Sequence, residues 1–313
     1  MKTICIVGLG IGSLYVKVAD RLGYNIITVD PNTDLEADYT DISELPTDLR
    51  FDMAIVCTPN YLHETIAKAL VTHTDRIVIE KPGFESLERW QEFQKQHRTK
   101  IFMVKNNMYR TVFYDTVWDA RDYSDIKNIK ITWVNQDRVP GAGSWFTNKE
   151  LAYGGVSRDL MPHALSVAQA ILRKPSINTE YVAYHEQAYS LKDIVTTKWG
   201  KGNPNGVYNV DDRAYFSATV DGINIECATA WKYSDIQKDH VEWQVELKSG
   251  VKISYTAGLC PEDAYVDMLD AYMLMTDKKY QDYVEYDYVI HDIIDNFKTN
   301  PCKNLIDKLI HED

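Results

Sequence analysis

Residues 3–30 read TICIVGLGIGSLYVKVADRLGYNIITVD. Residues 3–7 are a short run of β-formers, and Gly8 to Ser13 is a loop of small residues. Leu14, Val18 and Leu22 then recur every four residues, which is one face of a helix. Gly23 stops that helix, and 26–29 is a second strand ending at Asp30. The pattern repeats outward: strands at 51–57, 76–79 and 101–104, helices at 61–71 and 87–94. Strands that are nearly continuous apolar runs, alternating with helices, predict a parallel sheet covered on both faces. Such sheets bind ligands beyond the carboxyl ends of their strands, so chemistry is expected there.

The first strand end carries Gly8, Gly10 and Gly12, with Leu9 and Ile11 between them. Glycines let the backbone approach a pyrophosphate closely, and the following helix aims its free N–H groups and positive dipole end at it. Ser13 stands where G-x-G-x-x-G has its third glycine. Asp30 follows Gly8 by about 20 residues, the spacing of a carboxylate that hydrogen-bonds a ribose 2′-hydroxyl. A carboxylate there repels a 2′-phosphate, and Pro31-Asn32-Thr33 brings no cation to neutralise one, so NAD is favoured over NADP. The plainer readings are a tight turn for the glycines and a strand-end cap for Asp30.

A chain of 313 residues predicts two domains. Lys and Arg number 34 against 46 Asp and Glu, a net charge of −12 that repels phosphate backbones and anionic lipid. Neither nucleic acid nor a membrane is the expected partner; a small molecule is. Five scattered cysteines without C-x-x-C spacing argue against a disulfide framework or a metal site and for a reducing, cytoplasmic location. No apolar run reaches the roughly 18 residues that span a bilayer. The apolar stretch after Lys2 resembles a secretory leader at first sight. Its ordered glycines and the strand that follows favour the folded reading.

Three further segments complete a pattern: CTPNYLH at 57–63, IEKPG at 79–83 and GGVSRDLMPH at 154–163. A glycine-rich loop, T-P-N, E-K-P and G-G-x-x-x-D-x-x-x-H, in that order, resembles the Gfo/Idh/MocA family of NAD(P)-dependent oxidoreductases. The resemblance covers about the first half of the chain. It implies a Rossmann domain and makes Lys81, Asp159 and His163 the catalytic candidates. It also implies that Thr58, Pro59, Asn60 and His63 border the cofactor, and that Glu80 and Pro82 hold the lysine loop. VKNNMYR at 104–110 is a loose version of the family's N-x-R-F pattern and brings in Asn107. Departures are Ser13, a double rather than triple glycine at 154–155, and Arg158 at a position usually apolar.

The chemistry is coherent. Lys81 can donate or accept a proton if burial or a neighbouring cation lowers its pKa. His163 titrates near neutrality unaided and is the rival for that task. Asp159 would orient or charge-balance it. The two are four residues apart, on one face of a helix. Pro162 is tolerated only in a first turn, so that helix should start near 157–159 and run to 172. Taken singly, each has a plainer reading: an exposed Glu80–Lys81 pair, Asp159 as a helix cap, His163 packed nearby.

From about residue 126 the pattern changes. Strands are expected at 129–134, 180–185, 214–220, 223–228, 241–248 and 251–256, with hairpin turns at Asp221-Gly222 and Ser249-Gly250. Helices are expected at 267–275 and 288–297. The predicted fold is α/β: an N-terminal Rossmann doubly wound parallel sheet (1–120), followed by an α+β domain (121–313) with an open, mainly antiparallel sheet. A C-terminal helix packing back on the first domain is an option. The open face implies a homodimer or homotetramer. Trp145 and Phe146 are placed to stack on a sugar face or to pack in a core. Trp145 and Arg158 are candidate substrate contacts beside Lys81 and His163, and 198–209 is the best loop. The expected function is an NAD-dependent oxidoreductase moving a hydride between nicotinamide and a hydroxyl or carbonyl of a sugar, polyol or related small molecule. The alternatives are a non-catalytic dinucleotide- or sugar-binding regulator, and a reductase of a linear tetrapyrrole or imine.

Overall fold

The computed structural model describes residues 1–114, 125–175, 180–194 and 202–311. The chain forms two compact units, Met1–Arg110 with Pro261–Asp287, and Thr111–Cys260 with Tyr288–Asp313.

In the first unit the strands are β1 (Thr3–Val7), β2 (Asn25–Val29), β3 (Met53–Val56), β4 (Arg76–Ile79) and β5 (Lys100–Met103). Helices Leu9–Arg21, His63–Leu70 and Leu87–Gln96 lie between them in sequence. All strand pairs are parallel, in the order β2-β1-β3-β4-β5. The order reverses at β1, which makes its carboxyl end the switch point where such sheets bind ligands. Elements fall within a few residues of expectation because the apolar runs are buried on both faces. Helix Leu87–Gln96 begins where Ser86 Oγ accepts the Arg89 N–H.

The expectation of an uninterrupted second domain is corrected, because Pro261–Asp287 returns to the first unit. The reason is the edge of β5. Tyr280 Oη accepts the Ile101 N–H at 3.0 Å and donates to the Ile101 carbonyl at 3.1 Å. Asp287 Oδ2 accepts the Met103 N–H at 3.2 Å, and Tyr272 Oη donates to the Met103 carbonyl at 3.1 Å. Helices Glu262–Leu274 and Asp277–Asp295 thus close an edge that would otherwise offer unpaired backbone groups. Asp287 also pairs with Lys105, both side chains fully buried, and the Lys105 ammonium lies 4.4 Å from the centre of the Tyr283 ring. Burial pushes the Asp287 carboxyl up and the Lys105 ammonium down, each opposed by its partner.

In the second unit the strands are β6 (Ile126–Val134), β7 (Tyr181–Glu186), β8 (Arg213–Val220), β9 (Ile223–Ala230), β10 (His240–Leu247), β11 (Lys252–Thr256) and β12 (Lys298–Thr299). Their order is β11-β10-β6-β9-β8-β7-β12. β6–β9 and β7–β12 are parallel and the other pairs antiparallel. Both expected hairpins are present. Helix Met161–Leu172 packs against β6 and β9. The C-terminal helix Lys303–His311 packs on the second sheet, with Ile306 and Leu309 against Val134, Tyr215, Ala228 and Ala230. Of the helices expected near the end of the chain, the one at 267–275 falls within Glu262–Leu274 of the first unit. Side chains two apart share a face, so the same face continues through Asn128, Lys130 and Glu226. There it forms an open depression of about 980 Å³, also lined by Gln244 and Glu246.

The boundary expected at 120/121 lies outside the described residues, as do 198–201 of the expected loop. The remainder of that loop is tied down: the Asn203 N–H donates to the Ala142 carbonyl at 2.7 Å and Thr147 Oγ1 to the Val207 carbonyl at 2.8 Å. Among the described residues no helix is long and apolar enough to cross a membrane.

Asp287→Asn leaves the Lys105 ammonium buried opposite a neutral group, and urea denaturation is expected to show a loss of about 3 kcal/mol. The double variant Asp287→Leu/Lys105→Met recovers most of it. A loss below about 1 kcal/mol in the single variant would show that the pair is not what holds β5 to the returning helices.

Candidate functional site

Gly8 leaves β1 with φ 89°, and a Cβ there would meet the Cys57 carbonyl oxygen at 2.8 Å. Only glycine allows this approach between the ends of β1 and β3. Helix Leu9–Arg21 therefore begins at the sheet mouth, where its first-turn N–H groups have no acceptor within the helix. A Cβ built at Gly10 meets nothing within 4 Å, and Ile11 is 48% exposed, so this helix end is open. Ser13 Oγ donates back to the Gly10 carbonyl at 3.0 Å, a bond local to the helix. Asp30, 8% exposed, accepts the Leu9 N–H at 2.6 Å on Oδ2 and the Asn32 N–H at 2.8 Å on Oδ1. It ties the end of β2 to the glycine loop, and each carboxylate oxygen keeps further acceptor capacity.

At the end of β3, Thr58 Oγ1 is buried without a hydrogen-bond partner among the described residues, and Thr58 Cγ2 lies 3.0 Å from the Cβ position built at Gly8. An open glycine, a helix end whose N-cap residue Gly8 has no side chain to cap it, and an orphaned hydroxyl fit a nucleotide pyrophosphate. Pro59 is half-buried and Asn60 buried.

His63 departs from its expected place at the cofactor. It is fully buried, with Nδ1 2.7 Å from the Gly83 carbonyl and Nε2 2.9 Å from the Thr58 carbonyl. Both ring nitrogens face inward between the T-P-N and E-K-P loops, and the neutral ring donates to one of the two carbonyls. Burial above all, with the nearby positive charge of Lys81, pushes its pKa down to about 4 against the opposing pull of the two carbonyls. Glu80 is buried too. Its Oε1 accepts the Tyr15 hydroxyl at 2.7 Å, and its Oε2 accepts the Lys81 N–H at 3.2 Å. Lys81 itself is half-buried, and the Lys81–Pro82 peptide is cis. Asn107, 1% exposed, accepts from Arg110 Nε at 2.8 Å. It turns into the interior, which corrects its reading as a cofactor contact.

The second unit positions Asp159 and His163. The Gly155 N–H donates to Asp211 Oδ1 at 2.9 Å, and the Ser157 N–H to Asp211 Oδ2 at 2.7 Å. Ser157 Oγ donates to Asp211 Oδ1 at 3.0 Å, and the Val156 N–H to the Asp211 carbonyl at 2.9 Å. A Cβ at Gly155 would lie 1.8 Å from that carbonyl oxygen, so the second glycine is obligatory. Burial pushes the Asp211 carboxyl up, but His185 and these N–H donors outweigh it and hold it below the usual range. Asp211 was not anticipated from sequence; the signal was an Asp-Asp-Arg run at the entry to β8.

The expected single helix is two: Val156–Asp159 and Met161–Leu172, meeting at Leu160. Pro162 lies in the first turn of the second, and its missing N–H accounts for the break. Asp159 Oδ2 accepts the Trp231 Nε1–H at 2.7 Å, and the His163 ring stacks on Trp133 at 5.6 Å and 29°. Arg158 pairs with Asp295 at 2.8 Å with little exposure on either side. Trp145 is half-buried with its ring 4.1 Å from that of Phe146. Among the described residues no group of three or more His, Cys, Asp or Glu side chains is arranged to hold a metal ion.

Residues 4–107 match the model of the Gfo/Idh/MocA oxidoreductase family, described as an NAD-binding Rossmann fold. A protein of Amycolatopsis mediterranei (strain S699) named "Putative UDP-kanosamine synthase oxidoreductase subunit" is 26% identical over 200 residues. That match covers 61% of this chain and little more than half, 55%, of the relative. Among solved structures, GenD2 from gentamicin A biosynthesis, in complex with NAD, superposes with a TM-score of 0.71 at 17% identity, covering 94% of this chain and 92% of that one. Levoglucosan dehydrogenase, in complex with NADH and levoglucosan, gives 0.67 at 16% identity over 94% and 96%. A myo-inositol dehydrogenase from Corynebacterium glutamicum gives 0.67 at 14% over 94% and 95%. These likenesses show the fold.

His63 titrates at about 4 when folded and near 6.5 when unfolded. Below 6.5 the unfolded chain takes up the proton first, so up to about 3 kcal/mol of stability is lost as pH falls from 6.5 towards 4. The urea midpoint of the wild type is expected to drop between pH 7 and 4.5, and that of His63→Gln to drop less. Equal drops would remove His63 as the cause.

Proposed function

We propose that this chain, whose residues 4–107 match the model of an oxidoreductase family with an NAD-binding Rossmann fold, is an NAD-dependent dehydrogenase or reductase acting on a hydroxyl or carbonyl of a sugar, polyol or related small molecule. The observation that carries this is the open glycine end of helix Leu9–Arg21 beside the unpartnered Thr58 hydroxyl. The carbohydrate class is supported by the relatives, whose names refer to UDP-kanosamine, gentamicin A, levoglucosan and myo-inositol.

Bound nicotinamide supplies or accepts the hydride; the chain must bind it and move the companion proton. The helix end and Thr58 receive the pyrophosphate, and Asp30 offers its remaining lone pairs to a ribose hydroxyl. Glu80 and His63 fix the loop that presents Lys81 from both sides. Lys81 in the first unit and His163, with Asp159, in the second are the groups able to take the proton from an alcohol or give it to a carbonyl. The open depression on the second sheet mixes Lys130 and Lys252 with Glu180, Glu226 and Glu246. Its mixed charge supports pairing with a second copy of the chain. Light scattering is expected to show a dimer or tetramer, and a charge at Val182, 38% exposed on that face, to release monomer.

Lys81→Ala is expected to lower kcat by about a hundredfold or more in an NADH-absorbance assay over a sugar and polyol panel, with NAD affinity kept. If Lys81→Ala stays active and His163→Ala does not, the proton-transfer role belongs to His163. Tight NAD binding with no absorbance change across the panel would point to a regulator instead.

A further inference from the structure

Asp159 and His163 sit on two short pieces of helix joined at Leu160. A break of that kind leaves their relative direction unset by the helix alone. Both are held instead by indoles from neighbouring parallel strands. Trp133 lies within β6, opposite Thr229 of β9, and Trp231 follows the last residue of β9. The backbone of Trp231 is fixed on both sides: its N–H donates to the Asp212 carbonyl at 3.1 Å, and its carbonyl accepts the Arg138 N–H at 2.7 Å. The indole is 1% exposed, and a buried indole N–H needs an acceptor. It has one in Asp159 Oδ2 at 2.7 Å, a bond strengthened by the carboxylate charge. Trp133 meets His163 face to face.

We propose that Trp231 is the positioning residue for Asp159 and Trp133 the positioning residue for His163, so that the sheet sets the geometry of this pair. The proposal rests on the dehydrogenase reading above. Trp231 acts through the orientation of the Asp159 carboxylate and Trp133 through the plane of the imidazole; neither needs to touch substrate. Asp211 fixes the chain just upstream, at Gly155 and Ser157, and Trp231 meets the Asp159 carboxylate itself.

The test is a mutant cycle on the full-length enzyme with NAD and myo-inositol, or whichever polyol of the panel is turned over. Trp231→Phe keeps a ring and removes the donor. It is expected to lower kcat about tenfold or more with the KM for NAD within about twofold. In an Asp159→Asn background it should add less than about twofold, because it acts through Asp159. Trp133→Phe keeps the stack and should stay near wild type, whereas Trp133→Ala should fall about tenfold. A second readout needs no turnover: the indole N–H resonance of Trp231 in a proton–nitrogen spectrum should move in Asp159→Asn and hold still in Lys81→Ala. Unchanged kcat in Trp231→Phe, an equal drop in both backgrounds, or an indole resonance unmoved by Asp159→Asn overturns the assignment to Trp231. Trp133→Ala as active as Trp133→Phe overturns that to Trp133. If Trp231→Phe does not fold, the resonance decides. If the wild type turns over nothing in the sugar and polyol panel, the dehydrogenase reading fails while the resonance still reports on Trp231.

Discussion

The end of β1 can come within van der Waals reach of the end of β3 only because Gly8 carries no side chain to strike the Cys57 carbonyl. Everything at the mouth of the first sheet follows from that approach. It starts helix Leu9–Arg21 at the sheet edge and sets its open turn beside Thr58. It also lets the Asp30 carboxylate reach the Leu9 N–H from β2. A larger residue at position 8 would separate the strand ends and turn the helix away from the place where an anion can be met by backbone donors.

The same economy governs the E-K-P loop. Tyr15 reaches from that helix to Glu80, and Glu80 reaches to the backbone of Lys81. His63 spans from the Thr58 carbonyl to the Gly83 carbonyl. The helix at the sheet mouth, the loop after β3 and the loop after β4 are thus tied together by buried polar groups. Buried polar contacts of this kind are costly to leave unmade, and that cost keeps a half-exposed lysine in one place.

Much of this was legible in residues 3–30, because apolar runs and glycines act locally and β1 is buried along nearly its whole length. Asp30 could be picked out from its spacing to Gly8, and Lys81, Asp159 and His163 from the resemblance of their segments to a known family. What spacing could not say is which way a side chain turns. His63, Asn107 and Arg158 sit in the right segments but point inward, to Gly83 and Thr58, to Arg110 and to Asp295. Asp211 and Trp231 are separated from the segment they hold by more than fifty residues, and no periodicity connects them. The return of Tyr272, Tyr280 and Asp287 to β5 is longer in sequence still and was invisible for the same reason.

That return has a consequence for how the chain is made. Synthesis runs from the N-terminus, yet the last strand of the first sheet has its free edge completed by Tyr272, Tyr280 and Asp287. While the intervening stretch leaves the ribosome, β5 presents bare amides and carbonyls of the kind that recruit other chains. The nascent polypeptide therefore needs either rapid formation of the second sheet or a chaperone during that interval, and a fragment ending near residue 120 should be prone to aggregate.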